Sequence, residues 1–358
     1  MADNDFRIKT VAKKMAELNA RPAYVLDRLE YEDQADIGAN ETIEIPGLGA
    51  YTVSSDASVA VTPQSSTADN IDLVINKHPG VFVDVPRLDR LMNMGGGDRW
   101  ASSVARNALS ALRNDMDEAF LKDASTVAAY SDASSPAYTS NPAGDTIERQ
   151  DLVEAIARLS DQDGAGSEAE MLWVLDPWAM AAIRNLADFI PSGTAAERGF
   201  VGLPLIGSLF NIPVVQTRSV LKSHSVAISG AVISSNSCTL TVSAGHGFVV
   251  GEKAVTAGLT TNATSAVAIT AVGATTIELP ITASDGAMAD QVGTITSQAS
   301  RSMLLDTTHC HSGVVAMPDL RIKPKTGTST EELEVTSVYG FCSRPGRCVN
   351  VYGPVGGI

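Results

Sequence analysis

The sequence predicts an α+β fold in which a small all-β domain is inserted, and three patterns support this prediction. Residues 98–122 have the periodicity of one long helix. Residues 36–76 alternate between apolar and polar side chains, as half-exposed strands do. Residues 226–299 hold almost no charge and are rich in Thr, Ser, Val, Ala and Gly, which indicates short strands of a barrel or sandwich.

Composition narrows the class of protein. The 358-residue chain carries a net charge of −15, and only 19% of its residues are charged, below the usual ~25%. Low charge suggests a surface largely covered in an assembly. The acidic balance argues against a protein that wraps nucleic acid, because phosphate binding depends on clustered Lys and Arg. The polar start of the chain does not resemble a signal peptide, and no run approaches the ~20 apolar residues of a membrane span.

The long helix is the strongest local signal. Asp98 is a suitable N-cap, and a helix over residues 98–122 would be roughly 37 Å long at 1.5 Å per residue. Its apolar stripe is formed by Trp100, Val104, Ala105, Ala108, Leu109, Leu112, Met116, Ala119 and Phe120. A spine across a flat molecule and a core helix of an ordinary domain both fit this pattern. Gly95, Gly96 and Gly97, just before it, predict a kink, bend or hinge.

Two segments before this helix have little core of their own. Residues 3–30 read as a helical arm whose thin apolar stripe, Val11, Met15 and Leu18, needs another surface to dock on. The alternating residues of the next segment are Ile43, Ile45, Tyr51 and Val53, among others. A two-stranded excursion of this kind is marginally stable alone, so we expect it to lie on a neighbour.

The segments after the long helix have α/β character. We expect a surface loop over 125–148, an amphipathic helix, a buried strand over 171–175 and a helix started by Asp176 and Pro177. Val214 and Val215 predict a second buried strand, after a Gly-rich stretch with Gly202 and Gly207. The amphipathic helix presents Leu152, Val153, Ala155, Ile156 and Leu159. Strand patterns resume after residue 299, and the tail reads as two long strands.

Few residues suggest chemistry. His309, Cys310 and His311 have zinc-ligand types, but alternation along a strand separates Cys310 from the histidines. Cys342 and Cys348 flank a Pro-Gly turn and could face each other on a hairpin, although we expect free thiols in a reducing cytosol. No Ser-His-Asp or Cys-His spacing is evident. We therefore expect no enzyme, no cofactor and no metal, and we read carboxylate pairs such as that in residues 115–117 as solvated.

In this order, the pieces resemble the major capsid (coat) protein of tailed bacteriophages, in its Hong Kong 97-type fold, and most closely the subgroup with an inserted β domain. The sequences that carry the resemblance are ETIEIPGLGAYTV, HPGVFVDVPRLDR, DRWASSVARNALSALRNDMDEAF, MLWVLDPWAMAAI and GLPLIGSLFNIPVVQTRSV.

The resemblance implies a division into seven segments. These are an N-terminal arm (1–35), an extended β loop (36–76), a peripheral domain with the spine helix (77–148), an axial domain (149–225), the inserted β domain (226–299), an axial return (300–320) and C-terminal strands (321–358). It also implies inter-subunit contacts by Ile43, Ile45, Tyr51 and Val53 of the extended loop and by Val11, Met15 and Leu18 of the arm. Gly95, Gly96 and Gly97 become the spine bend, and Gly202 and Gly207 an axial-lobe loop.

The function implied is a self-assembling virion shell. Hexamers and pentamers would form an icosahedral head around double-stranded DNA, assembled in the host bacterial cytoplasm, with weak non-specific DNA contact and no membrane. The sequence lacks the family's long N-terminal delta domain, which implies a separate scaffolding protein, with a portal and a decoration (cement) protein as further partners. No Lys/Asn crosslinking pair is evident. Alternatives are an encapsulin-like nanocompartment shell and, in a different class, a β-rich adhesin or tail protein.

Overall fold

A computed structural model gives the fold. The residues that it describes are 25, 29–31, 42–45, 71–86, 97–129, 139–141, 146–161, 170–191, 205–222, 224–259, 266–281, 286–287, 292–297, 299–324, 330–344 and 346–354. They form two compact units. One comprises Met1–Glu30, Asp98–Cys310 and Ser343–Ile358, and the other comprises Tyr31–Gly97 and His311–Cys342.

The described residues contain three α-helices: α1 (Gly97–Ala129), α2 (Arg149–Ser160) and α3 (Pro177–Ile183). The strands are β1 (Glu30–Tyr31), β2 (Thr42–Ile45), β3 (Ile71–Val74), β4 (Gly80–Pro86), β5 (Thr139–Ser140), β6 (Met171–Leu175), β7 (Phe189–Pro191), β8 (Leu205–Leu209), β9 (Ile212–Gln216), β10 (Ser225–Ser234), β11 (Ser237–Val242), β12 (Lys253–Ala257), β13 (Val267–Ala268), β14 (Ala271–Val272), β15 (Thr276–Leu279), β16 (Gly286–Ala287), β17 (Gly293–Ser297), β18 (Ala299–Asp306), β19 (Cys310–Pro324), β20 (Thr330–Ser343) and β21 (Cys348–Pro354).

The predicted long helix is present, with different ends. It begins at Gly97, so Asp98 lies inside the first turn and the predicted N-cap position is wrong. It continues to Ala129, so the loop predicted from residue 125 starts later. Ser125 is buried there, which gives the extra turn an inward-facing side. The buried stripe is Ala108, Leu109, Leu112, Met116, Phe120, Leu121 and Ala124.

Asp117 is the main departure on this helix. The sequence pattern places it on the solvated face, but its side chain is fully buried. Its Oδ1 accepts a hydrogen bond from the backbone N of Val25 at 3.3 Å. Since Val25 is itself fully buried, this part of the predicted arm docks on α1 of its own chain.

A seven-stranded sheet in the order β5-β21-β18-β6-β9-β8-β7 forms the centre of the first unit. Strand β6 is buried along its whole length, as predicted, and pairs in parallel with β9. Alternate residues of β6 (Met171, Trp173 and Leu175) join a hydrophobic cluster with the apolar faces of α2 and α3. Asn350 of β21 donates instead to the carbonyl of Ser125 in α1, at 2.7 Å, so the sheet is in contact with all three helices.

The two short helices form largely as their sequences predict. Asp176 caps α3 by accepting a hydrogen bond from Trp178 N at 3.0 Å, with Pro177 in the first turn. In α2, Leu152, Ala155 and Leu159 are buried. Val153 was expected on this face but is 44% exposed, because it lies outside the narrow stripe that contacts the sheet.

Residues 225–297 form an eight-stranded antiparallel sheet with a hydrophobic cluster of its own. Its main path runs β13-β12-β17-β10-β11-β15-β14, with β16 paired to β10. The strands at the two ends of this path, β13 and β14, are separated in sequence only by Ile269 and Thr270. The ends of the sheet therefore lie together, as in a barrel, and we call this sheet the barrel.

The second unit contains a four-stranded sheet, β1-β19-β20-β4, and the two-stranded sheet β2-β3. Strands β2 and β3 pair antiparallel, with Ile43 opposite Leu73. Their inner residues cluster with Cys342. The base of the predicted extended loop therefore packs on β20 of its own chain, because the alternation of β2 places both isoleucines on the covered face. The seven-segment division of the chain stays a prediction.

The tail contains two strands, as predicted. Both predicted strands exist, but β20 belongs to the four-stranded sheet and β21 to the seven-stranded sheet. They do not form a hairpin with each other. Cys342 and Cys348 consequently lie in separate environments, which excludes the alternative that they face each other on a hairpin.

Gly207 provides a test of packing within the first unit. It lies in β8 rather than in the predicted loop, and a Cβ at this position would overlap the Ile190 carbonyl oxygen of the neighbouring strand β7. We predict that Gly207→Ala lowers the free energy of unfolding by about 1–3 kcal/mol, because the backbone has to shift. Denaturant titration measures this loss. Ser208→Ala, one residue along the same strand, is the control and should change stability by less than about 0.5 kcal/mol.

Candidate functional site: the barrel junction and the predicted contact residues

The residues predicted to contact other subunits, to bend the spine or to form the axial-lobe loop fall into two groups. Val11, Met15, Leu18, Tyr51, Val53, Gly95, Gly96 and Gly202 lie outside the described residues. Ile43 and Ile45 are buried within their own unit, at 6% and 7% exposure, so contact with another subunit at β2 would use its exposed residues, Thr42 and Glu44. Gly97 is the first residue of α1. Among the predicted residues that the structure describes, it brings together Ile43 and Ile45, in one hydrophobic cluster.

A different set of residues forms the most distinctive polar site in the first unit. It lies where the barrel joins the seven-stranded sheet, and we call it the junction: His224, Glu252, Ser297, Arg301 and Tyr352. The chain leaves the sheet after β9 and returns to it in β18. The outgoing and returning segments run side by side, since Arg301 N donates to Leu221 O at 2.8 Å and Ser297 N donates to His224 O at 2.7 Å.

A buried ion pair lies at the centre of the junction. Arg301 Nη2 is 3.0 Å from Glu252 Oε1, and both side chains are 0% exposed. Ser297 Oγ donates to the same carboxylate oxygen, while Val249 N donates to Oε2 at 3.2 Å. The carboxylate therefore accepts three hydrogen bonds, one from a residue three positions before it and two from residues 45 and 49 positions after it. Glu252 precedes β12 of the barrel and Arg301 belongs to β18, so the pair joins the two sheets.

An aromatic ring completes the environment of the arginine. Arg301 and Tyr352 are paired residues of β18 and β21, and the guanidinium carbon lies 5.2 Å from the tyrosine ring centroid. This is within the range of a cation–π interaction. Tyr352 also forms a small apolar cluster with Val249 and Ala299. The apolar cluster at the junction is thus small. The ion pair of Glu252 and Arg301 is the main directional interaction there.

The surroundings of Arg301 and Tyr352 shift the pKa values of both side chains upward. Burial alone would lower the pKa of Arg301, but Tyr352 and Glu252 act in the opposite direction and raise it above its usual value. Burial raises the pKa of Tyr352 well above its usual range, with Arg301 opposing. The tyrosine therefore stays neutral, and Arg301 stays a cation next to a carboxylate.

His224 is held neutral at the edge of the junction. Its Nε2 contacts the carbonyl oxygen of His246, and its ring lies 5.0 Å from the ring of Phe248. Burial lowers its pKa to about 4, and the charges of Arg301 and Lys122 act in the same direction. A second proton on His224 would place a cation in a half-buried position next to another cation.

A second polar contact ties α3 to the same strand. Asp176 N donates to Ser302 Oγ at 3.0 Å, and Asp176 Oδ1 is 3.4 Å from Lys222 Nζ. Because Ser302 follows Arg301 in β18, adjacent residues of one strand hold the barrel and the helix. These contacts fix the positions of the barrel and of α3 relative to β18.

His309 and Cys310, two of the three candidate metal ligands, make other contacts. His309 Nδ1 lies 3.0 Å from Asp306 Oδ2 and 2.9 Å from Thr308 Oγ1. Cys310 Sγ lies 3.6 Å from Cys348 Sγ. Among the residues that the structure describes, no cluster of three or more His, Cys, Asp or Glu side chains is arranged to hold a metal ion. None of the described helices is both long and apolar enough to cross a membrane.

Sequence reasoning missed the junction, although one signal was available. Residues 226–299 hold only five charged side chains: Glu252, Lys253, Glu278, Asp285 and Asp290. A carboxylate in so apolar a block is a candidate for a buried, paired charge. Its partner, Arg301, lies two residues beyond the block, in a strand whose described residues are all buried, and an arginine there requires a counter-charge.

The ion pair yields a prediction about stability. Glu252→Gln and Arg301→Met should each lower the free energy of unfolding by about 3–5 kcal/mol, because each leaves one buried charge unpaired. The double variant Glu252→Met/Arg301→Met should lose less than the sum of the two single losses. Urea denaturation of all variants measures the coupling. Glu278→Gln, at a partly exposed barrel carboxylate, is the matched control, and additive losses in the double variant would contradict the pairing.

His224 yields a prediction about pH. Its folded pKa of about 4 lies below the ordinary value of 6.5, so between these two values the unfolded chain binds a proton that the folded chain does not. Stability should therefore fall as pH drops from 6.5 to about 4, by about 2–3 kcal/mol from this residue. Denaturant titrations at several pH values, on the native chain and on His224→Asn, isolate this contribution by difference. Identical pH slopes in the two proteins would contradict it.

Comparison with known proteins identifies solved structures of similar fold. No family model matches the sequence, and no curated protein matches it. Solved structures do match in fold. A chain from the capsid structure of the Cyanophage P-SCSP1u aligns with a TM-score of 0.53 at 12% identity, covering 93% of this chain and 89% of that chain. A chain from the capsid of a native GTA particle aligns with a TM-score of 0.50 at 11% identity, covering 93% and 91%. The chain has the α+β fold of these capsid chains.

Proposed function

We propose that this chain is the major capsid protein of a tailed-phage-type particle. The observation that carries the proposal is the match to a phage capsid chain over 93% of this chain and 89% of the other, which leaves little of either outside the shared fold. Identity of 12% is too low to carry function by sequence, so the proposal also needs support from the chain's own physics.

That support comes from the composition of the chain and from its exposed apolar side chains. Only 19% of the residues are charged, as expected when contacts with other copies replace contact with water. Phe82 of β4 is 59% exposed, and so is Ile190 of the edge strand β7. Large apolar side chains left on the surface favour protein–protein contact. Among the described residues, no side-chain cluster suggests a catalytic site.

The proposed assembly is a Hong Kong 97-type shell with an inserted β domain. Copies of the chain form hexamers and pentamers and enclose double-stranded DNA, with which the acidic chain has weak non-specific contact. Tyr51 and Val53 of the extended loop contact the adjacent subunit, as do Val11, Met15 and Leu18 of the arm. Gly95, Gly96 and Gly97 allow the spine to bend. A scaffolding protein, a portal and a decoration protein are the further partners, and the shell is assembled in the bacterial cytoplasm.

Electron microscopy of the purified chain, expressed with its candidate scaffolding protein, tests the proposal. We predict closed shells on the order of hundreds of Å across. A stable monomer under the same conditions would contradict the proposal. Shells filled with protein and unable to take up DNA would favour the nanocompartment alternative.

The extended loop offers a more selective prediction. Deleting residues 38–62 would also remove β2, whose isoleucines belong to the second unit's hydrophobic cluster. The better variant keeps β2 and β3 and replaces residues 47–69 with a short Gly-containing turn. We expect a subunit with a melting temperature close to that of the native chain, but no stable shells, because the loop's contacts with the neighbour are gone. Normal shells from a folded variant would rule out this role for the loop.

A further inference from the structure

Two cysteines that are distant in sequence meet in the first unit. Cys310 is the first residue of β19 and Cys348 is the first residue of β21. Their sulfur atoms are 3.6 Å apart, and both residues are fully buried. The other two cysteines lie elsewhere: Cys238 belongs to the barrel's hydrophobic cluster, and Cys342 belongs to the cluster of β2 and β3.

Strand register explains this proximity. In the pairing of β18 with β21, Leu305 lies opposite Cys348, and Asp306 N donates to Arg347 O at 3.0 Å. Strand β18 then ends, and a three-residue turn leads to Cys310. The turn returns the chain to the start of β21, which places the second thiol beside the first.

Hydrogen bonds within the turn hold this geometry. Thr308 donates to Asp306 Oδ1 twice, from its backbone N at 3.2 Å and from its Oγ1 at 2.7 Å. His309 Nδ1 lies 3.0 Å from Asp306 Oδ2, and Arg347 Nη1 lies 3.8 Å from the same atom. Since Asp306 is fully buried, both sides of the dithiol are fixed by one carboxylate. The thiols are thus preorganised, and do not meet by chance motion of loose chain ends.

We propose that Cys310 and Cys348 form a site of reversible thiol–disulfide modification. A disulfide needs the two sulfurs to approach to about 2.05 Å, which from 3.6 Å requires side-chain rotation and a small shift of the turn. The His309 side chain, next to Cys310 in the turn, is 28% exposed, so the turn beside the pair meets solvent. We expect a small oxidant to approach the thiols from this side.

The oxidant class is a peroxide, and the reaction balances. One thiol attacks a peroxide oxygen, which yields a sulfenic acid and one water. The second sulfur then attacks the sulfenic sulfur, forms the S–S bond and releases a second water. Two electrons pass from the two sulfurs to the peroxide. A dithiol reductant reverses the bond by exchange.

The bond would constrain a long segment of chain. The two cysteines are 38 positions apart, and the loop between them contains β19 and β20. Cross-linking a loop of this length restricts the unfolded state and stabilises the folded one. This inference goes beyond the proposed function and does not depend on it.

Peptide mapping tests the site directly, because trypsin separates the three relevant thiols. Cys310 falls in residues 302–321, Cys342 in 326–347 and Cys348 in 348–358. The full-length chain is treated with hydrogen peroxide, and remaining thiols are blocked before digestion. We expect a linked pair of the 302–321 and 348–358 peptides, about 2 Da lighter than their sum. The melting temperature should rise by about 5–10 °C and return after reduction.

Variants separate this result from non-specific oxidation. Cys310→Ala and Cys348→Ala should each abolish the linked peptide and the rise in melting temperature. Cys238→Ala, at the barrel cysteine, should keep both. Two unlinked thiols after peroxide treatment, a link to the Cys342 peptide, or sulfinic acid without a link would each overturn the proposal. The native chain's own peptide map decides the matter even where a variant fails to fold.

Discussion

The ion pair between Glu252 and Arg301 is the constraint on which the first unit depends. The barrel and the seven-stranded sheet each have a separate hydrophobic cluster, so either could keep its own core without the other. What lies between them is a small apolar cluster and a charged pair with no exposed surface. Hydrophobic contact tolerates sliding, because it is non-directional. A buried carboxylate that accepts three directed hydrogen bonds does not, so the pair fixes the barrel's orientation.

Strand β18 contacts several layers of the first unit. In β18, Arg301 holds the barrel, Ser302 contacts the residue that caps α3, and Leu304 joins the hydrophobic cluster beneath α2 and α3. Its partner strand β21 supplies Tyr352 to the junction and Asn350 to α1. A change in the position of β18 would therefore be felt by the barrel and the short helices together.

The sequence predicted the elements whose signals are local. The buried strand β6, the Asp176-Pro177 start of α3, the alternating β2 and the long α1 each follow from a few neighbouring residues. Prediction from the sequence failed where a residue's environment is decided by contact with a residue far away along the chain. Asp117 reads as a surface charge until Val25 supplies a donor. A hairpin that brings Cys342 and Cys348 together stays possible from the sequence, and only the entry of β20 and β21 into different sheets excludes it. The junction depends on residues 49 positions apart, and no local pattern contains that pairing.

The two ends of the barrel's sheet lie together, and this affects how the barrel meets other copies of the chain. A strand at the edge of a sheet offers unpaired backbone groups to which another chain can add. The end strands of the barrel's main path, β13 and β14, are two residues long each and are joined by Ile269 and Thr270. They leave little room for a foreign strand to pair. In the proposed assembly, where many copies lie close together, the barrel is therefore a poor template for strand addition and aggregation.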